Sequence, residues 1–187
     1  MEKYWNQAVS FETYLKDTEE KITNPQTEED RQQKPYYELG LQRMNRMLKV
    51  YKPAPEDLKT LEEKNFKGKI LIISEGWCGD ASQSVPVLAE FFKGRNELRI
   101  FYRDSDTTLI DQFLTNGGRS IPKVLILDEN DQVVNTWGPR PAHGTALFHR
   151  YKANPEEYPK DQFYNDLQVY YAKNRGKDTI KEILDLL

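Results

Sequence analysis

The sequence contains only one cysteine, Cys78, among its 187 residues. A single cysteine cannot form an internal disulfide, and free thiols persist in reducing compartments, so the cysteine count favours a cytoplasmic protein. The first residues lack an uninterrupted apolar segment followed by a small-residue cleavage site, and no secretory signal is predicted. No apolar run approaches the length of a membrane-spanning helix. We therefore expect cytoplasmic localisation and no membrane partner.

Basic runs and paired metal ligands are also scarce. The formal net charge is −3 at pH 7, and no stretch is rich in Lys or Arg, so nucleic acid is not an expected partner. The two histidines, His143 and His149, are too far apart for one helical face and have no second cysteine to accompany them. We predict neither a metal site nor a cofactor.

The residues that are present are those of a folded protein. Eleven Tyr, eight Phe and three Trp are too many aromatic residues for a chain that stays unfolded. A chain of this length can bury an ordinary core without disulfides. Residues 1–64 carry helical spacing without strand patterns, and we interpret them as a helical N-terminal extension packed on the core. Its predicted helices cover 6–22, 27–50 (with a candidate break at Pro35) and 56–64.

Residues 65–187 are predicted to form an α/β domain with C-terminal helices. Its core order is β-α-β-α-β-β-α, in which the first two strands are parallel and the last two form a hairpin. The predicted strands are 70–73, 98–102, 123–128 and 132–137, and the predicted helices are 81–93, 106–116, 161–173 and 179–187. A Thr179/Glu182 capping box is expected to begin the last helix.

The cysteine lies in Gly76-Trp77-Cys78-Gly79-Asp80-Ala81, between the first strand and its helix. Sites of α/β proteins usually lie at this end of the strands. The free N–H groups and positive dipole end of the helix favour the thiolate, whereas Asp80 and Glu75 oppose it. We predict an exposed turn and a lowered pKa for the Cys78 thiol.

This stretch resembles the active-site turn of the thioredoxin superfamily, in which Trp-Cys-Gly-x-Cys opens the first long helix. Three further features match: Pro86 resembles the proline that kinks that helix, residues 118–122 resemble the cis-proline loop, and Gly138 resembles the glycine beneath the substrate groove. The resemblance covers roughly residues 65 to 140. It implies a thioredoxin-like fold with a mixed central sheet, to which the N-terminal helices are additional.

Two departures from the family pattern concern the same step, the release of the mixed disulfide by a second cysteine. The resolving cysteine of the family corresponds to Ala81, and the buried carboxylate that serves that cysteine corresponds to Ile72. A carboxylate buried without a partner would only destabilise the fold, so the two losses belong together. The resemblance therefore implies a single attacking thiol without an internal resolving thiol.

The resemblance also implies a binding rim around Cys78, the candidate catalytic residue. A cis Ile121-Pro122 bond presents backbone groups that pair with an extended substrate strand in this family. The candidate substrate-binding residues are Trp77, Gly79, Asp80, Ile121 and Pro122.

Structural interpretations of these residues stay open. A lone cysteine is often a small buried hydrophobe, and Trp77 is equally well explained by packing. Arg119 and Arg140 could lie near the sulfur and stabilise a thiolate or an acidic ligand, but a solvated surface position is favoured for each. The tyrosine-rich segment 158–171 is expected to pack internally.

Three functions are compatible with the sequence. In the first, Cys78 attacks a disulfide or thiol adduct and an external thiol resolves the mixed disulfide. The partner is then a thiol- or disulfide-containing protein or a low-molecular-weight thiol. In the second, the protein is a redox sensor or client-binding module without catalytic turnover. In the third, the groove binds a partner without using the sulfur. The sequence does not indicate an oligomeric state.

Overall fold

The central sheet has four strands in the order β2-β1-β3-β4, in a computed structural model that describes residues 1–187. Strands β1 and β2 are parallel, whereas β3 is antiparallel to both β1 and β4. The strands are β1 (Lys69–Ser74), β2 (Leu98–Tyr102), β3 (Lys123–Leu127) and β4 (Val133–Trp137). The predicted α/β class and mixed sheet are confirmed, as are the four strands within a residue or two.

The two central strands are buried on both faces. The apolar residues 70–73 of β1 and 124–127 of β3 have no exposed surface. An uninterrupted apolar run is required because helices cover both sides of the sheet. Ile72 therefore occupies a dry position in which an ionised carboxylate without a partner would be costly.

Eight helices surround the sheet. They are α1 (Glu2–Gln7), α2 (Phe11–Thr23), α3 (Glu28–Val50), α4 (Pro55–Lys64), α5 (Ala81–Phe92), α6 (Ala142–Ala153), α7 (Lys160–Asn174) and α8 (Lys177–Leu186). None of the eight combines the length and apolar character needed to cross a bilayer.

The N-terminal helices differ from the predicted ones at two places. The predicted helix 6–22 is divided, because Val9 forms a short antiparallel bridge with Ile100 at the edge of β2. Ser10 then caps α2. Helix α3 is continuous through Pro35, which is exposed, so the backbone carbonyl that the proline leaves without a donor is open to water.

Three helical features of the second half of the chain differ from the sequence predictions. The predicted helix 106–116 is reduced to a 3-10 turn at Ile110–Gln112, because the Asp106 carboxylate accepts hydrogen bonds from the backbone N–H and hydroxyl of Thr108 and favours a local turn. Helix α6 was not predicted. Helix α8 begins after Gly176, so the Thr179/Glu182 capping box is absent and Glu182 accepts from the Trp137 indole N–H instead.

Helices α2 and α3 pack directly on the turn between β1 and α5. A Cβ atom on Gly40 of α3 would collide with the backbone oxygen of Gly76, and one on Gly76 would collide with the Thr18 hydroxyl of α2. The main hydrophobic core includes side chains from residues 5–61 together with the sheet. Residues 1–64 are thus in direct contact with the core, and the domain division at residue 64 remains a prediction.

Replacement of Gly40 by alanine tests this close approach. Alanine favours a helix by about 1 kcal/mol over glycine, but overpacking against the Gly76 backbone costs roughly 1–3 kcal/mol. We expect Gly40→Ala to lower the free energy of unfolding in urea titration. Asn45→Ala, at an exposed position of α3, is the control and should stay within about 0.5 kcal/mol of wild type. A Gly40→Ala protein as stable as this control would contradict the packing described.

Candidate functional site

The Cys78 thiol lies between the end of β1, the start of α5 and the loop before β3. Its S–H donates to the backbone oxygen of Ile121 at 3.3 Å. The Ile121-Pro122 peptide bond is cis. The structure therefore brings together the cysteine and the proline loop, which are 43 residues apart in the sequence.

The thiol is buried, and its ionisation is opposed by its surroundings. Only 7% of Cys78 is exposed. Burial, and to a smaller extent the negative charge of Asp80, raise the pKa of Cys78 to about 12. The N–H groups of Ala81 and Asp80 at the helix start, and the Arg140 cation, lower the pKa but do not compensate. The predictions of an exposed turn and a lowered thiol pKa are wrong, because desolvation exceeds the stabilisation by the helix terminus.

Asp80 is held by two side chains from the C-terminal part of the chain. Arg140 donates to Asp80 Oδ2 from Nε at 3.0 Å and from Nη2 at 2.6 Å. The Tyr171 hydroxyl donates to Asp80 Oδ1 at 2.6 Å. Burial and the Asp80 charge raise the pKa of Tyr171 well above its usual value. The expectation that Arg140 is solvated surface is wrong, since its guanidinium is mostly covered and pairs with the partly buried carboxylate of Asp80.

Arg140 and Tyr171 are positioned by a second, smaller hydrophobic cluster. This cluster packs α6 against α7 and contains Tyr158, Phe163, Leu167 and Tyr171. The Arg140 guanidinium also lies 5.0 Å from the centre of the Phe148 ring. The expected internal packing of segment 158–171 is confirmed. Neither helix α6 nor the pairing of Arg140 and Tyr171 with Asp80 has a local sequence signal. The sequence analysis therefore missed Tyr171 and favoured the surface for Arg140.

The remaining predicted rim residues lie around the same turn. The Arg103 guanidinium stacks on Trp77, 5.0 Å from the centre of the indole, and Arg103 also donates to the Arg119 backbone oxygen. Gly79 faces Arg43 of α3. Pro122 contacts Gly138, whose φ of +113° and close approach to the Pro122 oxygen leave no space for a Cβ atom.

The structure also places Arg119 and His143, two residues considered in the sequence analysis, away from the thiol. Arg119 is exposed and pairs with Asp111, in agreement with a solvated position. The His143 imidazole stacks on the Tyr170 ring at 4.5 Å. No three His, Cys, Asp or Glu side chains converge in an arrangement suited to a metal ion.

Glu75, immediately before the motif, is a buried carboxyl group that the sequence analysis treated only as a charge near Cys78. It is 6% exposed, and Oε1 accepts the backbone N–H of Asp104 at 2.7 Å. Burial raises the pKa of Glu75 to about 7, while this hydrogen bond lowers it. No local pattern in the sequence distinguishes a buried glutamate at this position from an exposed one.

A cysteine between a strand end, a helix start and a cis-proline loop, on a mixed sheet of this connectivity, defines a protein of thioredoxin fold. A family model described as thioredoxin matches residues 8–153. The chain belongs to this family. The match includes α2 to α4 as well as the core of the sheet.

Solved structures support the fold. A protein of unknown function from Pseudomonas aeruginosa is 15% identical, with a TM-score of 0.63, over 97% of this chain and 92% of that one. An HIV epitope-scaffold is 16% identical, with a TM-score of 0.65, over 98% of this chain and 94% of that one. At this level of identity the similarity shows the fold alone. No curated protein matches the chain.

Replacement of Asp80 tests the electrostatic control of the thiol. Asp80→Asn removes the negative charge that raises the Cys78 pKa while keeping an oxygen for Arg140 and Tyr171. Each unit of lowered pKa gives about a tenfold larger thiolate fraction, so alkylation by iodoacetamide at pH 8 should accelerate several-fold. The pH profile of the rate should also move to lower pH.

Tyr171→Phe is the matched control for this experiment, because it removes one hydrogen bond to Asp80 but leaves the charge. It should not accelerate alkylation. Unfolding is monitored for each variant by near-ultraviolet circular dichroism. Equal rates and equal pH profiles for wild type and Asp80→Asn would contradict the electrostatic effect of Asp80.

Glu75 should make stability depend on pH. Its pKa is raised from 4.5 to about 7, so its protonated form stabilises the fold below about pH 4.5 and this contribution is lost as pH rises to about 7. The loss is on the order of 3 kcal/mol. Glu75→Gln should therefore gain stability relative to wild type between pH 4 and pH 8 in urea titrations. A stability difference that is constant over this range would refute the raised pKa.

Proposed function

We propose that the protein performs thiol–disulfide exchange through Cys78, forming a mixed disulfide that an external thiol resolves. The observation that carries this proposal is the contact between the Cys78 sulfur and the Ile121 carbonyl beside Pro122. It supports a site in which an extended partner segment docks on the loop and presents a sulfur to Cys78.

The exchange requires two displacements. Cys78 loses its proton to solvent, and its thiolate attacks one sulfur of the partner disulfide; the partner S–S bond breaks and the other sulfur leaves as a thiolate. A second thiolate, from glutathione or another small thiol, then attacks the sulfur bound to Cys78. Cys78 is released as a thiolate and is reprotonated, and the external thiol is oxidised. The absence of a second cysteine leaves no internal route for release.

Docking itself favours ionisation of Cys78. The Ile121 carbonyl accepts the S–H of the resting thiol, and a docked strand brings a backbone N–H to the same oxygen. Competition for this oxygen weakens the hydrogen bond of the thiol form and thereby favours the thiolate. A resting thiol with a raised pKa is compatible with exchange that begins only when a partner is bound.

A second candidate function is a redox sensor or client-binding module without turnover. The burial of Cys78 and its raised pKa favour this alternative, since both slow the attack and the subsequent release. The two candidates share the first displacement and differ in whether the mixed disulfide is resolved.

Deglutathionylation of a glutathionylated peptide by glutathione, followed over many turnovers, tests the proposal. Wild type should catalyse the reaction, Cys78→Ser should not, and Asn45→Ala, far from the sulfur on the exposed face of α3, should match wild type. Intact-mass measurement should show one glutathione on the protein. Insulin reduction should be slow, because no internal thiol releases a protein partner.

The outcomes separate the candidates. A stable glutathione adduct without turnover favours the sensor or client-binding function. Equal turnover by wild type and Cys78→Ser would contradict thiol exchange through this residue. Failure to form any adduct would contradict both candidates and would favour a groove that binds without the sulfur.

A further inference from the structure

Helix α3 carries a row of exposed and half-exposed side chains along one side. Residues that are three or four positions apart lie on the same side of a helix. This spacing connects a set of side chains that we call the α3 stripe: Tyr36, Leu39, Arg43, Arg46 and Val50. Tyr36 is 62% exposed and Leu39 is 41% exposed. Single apolar residues on a surface are ordinary, whereas this stripe combines several of them with two cations.

The middle of the α3 stripe lies against the helix start that carries Cys78. A Cβ atom placed on Gly79 would lie 3.4 Å from Arg43 Nη1. Arg46 contacts α5 further along, where its Nη2 donates to Gln83 Oε1 at 3.3 Å. The α3 stripe is therefore continuous with the surface beside Cys78.

The Arg43 guanidinium has no partner within the protein. It is half-buried and forms neither a hydrogen bond nor an ion pair. Burial lowers the pKa of Arg43, while the charge of Asp80 opposes this effect. The N–H donors of this guanidinium are thus held in a partly desolvated position without an acceptor.

Asp80 attracts Arg43 electrostatically but is committed to other donors. Its Oδ2 atom accepts from Arg140 at 3.0 and 2.6 Å, and its Oδ1 atom accepts from Tyr171 at 2.6 Å. The positive charge of Arg46 also acts on Arg43 and lowers its pKa further. Two neighbouring guanidinium groups therefore face the surface without a carboxylate of their own.

Charge and shape select the kind of occupant. Guanidinium groups bind carboxylates in a bidentate geometry and are well suited to interfaces. An acidic segment complements Arg43 and Arg46, whereas a basic segment would be repelled. The apolar surface of Tyr36 and Leu39, within two helical turns of Arg43, accommodates further residues of the same segment. This extent favours a polypeptide over a small thiol.

We propose that the α3 stripe docks an acidic segment of the protein partner of Cys78, with Arg43 binding a carboxylate beside the reacting sulfur. The inference rests on the proposed thiol exchange and adds the chemistry of the partner to it. Arg43 is a specificity-determining residue, because it holds the segment and takes no part in the displacement. The N-terminal helices thereby select the partner.

Two short blocked peptides, Leu-Glu-Cys-Glu-Leu and Leu-Gln-Cys-Gln-Leu, test the proposal. The cysteine of each peptide carries a 2-thiopyridyl group through a disulfide. The Cys78 thiolate attacks the peptide sulfur, the S–S bond breaks, and 2-thiopyridone is released, so its absorbance gives the rate. Dividing each rate by the rate with 2-mercaptoethanol corrects for the reactivity of the peptide itself. At low salt and pH 8, wild type should react several-fold faster with the Glu peptide.

Three variants locate the preference. Arg43→Met keeps a good helix former but removes the charge, and it should lose most of the preference for the Glu peptide. Arg43→Lys keeps the charge without the bidentate geometry and should retain part of it. Lys49→Met is the matched control, because it removes a positive charge from an exposed position of α3 outside the stripe, and it should behave as wild type.

Equal corrected rates of wild type with the two peptides would overturn the proposal. An equal loss of preference in Arg43→Met and Lys49→Met would also overturn it, since it would reflect the overall charge of the protein. Reaction with neither peptide would contradict thiol exchange itself, and partner selection with it. The two failures are therefore distinguishable.

Discussion

The close packing of α2 and α3 against the β1–α5 turn is the constraint on which the site depends. Gly40 and Gly76 allow the backbone of α3 to touch the backbone of the turn, and Thr18 fills the space beside Gly76. This contact fixes the chain just before Cys78. The N-terminal helices therefore shape the site, in addition to supporting the sheet.

Burial of the turn has the same electrostatic consequence for Glu75 and Cys78. Desolvation is the largest cause of the raised pKa of each group, and it favours the protonated form of both. Asp80 differs because Arg140 and Tyr171 supply the hydrogen bonds that compensate its partial burial. The turn thus combines one well-paired carboxylate, Asp80, with two groups, Glu75 and Cys78, whose charged forms have few compensating contacts.

The sequence predicts the sheet well because buried strands need apolar residues at consecutive positions, as in 70–73 and 124–127. It also predicts that Cys78 and Pro122 lie close together, because the motifs that contain them occupy fixed places in the fold. It does not predict the thiol pKa, since desolvation depends on helices that are distant in sequence. Helix α6 and the Arg140–Asp80 pair are missed for the same reason: they are determined by tertiary contacts with α7, for which no local pattern exists.

If Cys78 performs the proposed exchange, its selectivity lies in partner docking. The resting sulfur is protonated, donates a hydrogen bond to the Ile121 oxygen and lies near the negative charge of Asp80. A small oxidant in solution therefore encounters little of the reactive thiolate. In the proposed exchange, a partner that pairs with the Ile121 carbonyl competes with the S–H for this oxygen and brings its own sulfur to the site in the same event. Ala81 offers no internal thiol to complete the proposed exchange, and the apolar Ile72 leaves no carboxylate at its position to assist. In the proposed exchange, recognition of the partner and activation of the thiol are therefore coupled through one backbone oxygen, and release requires an external thiol.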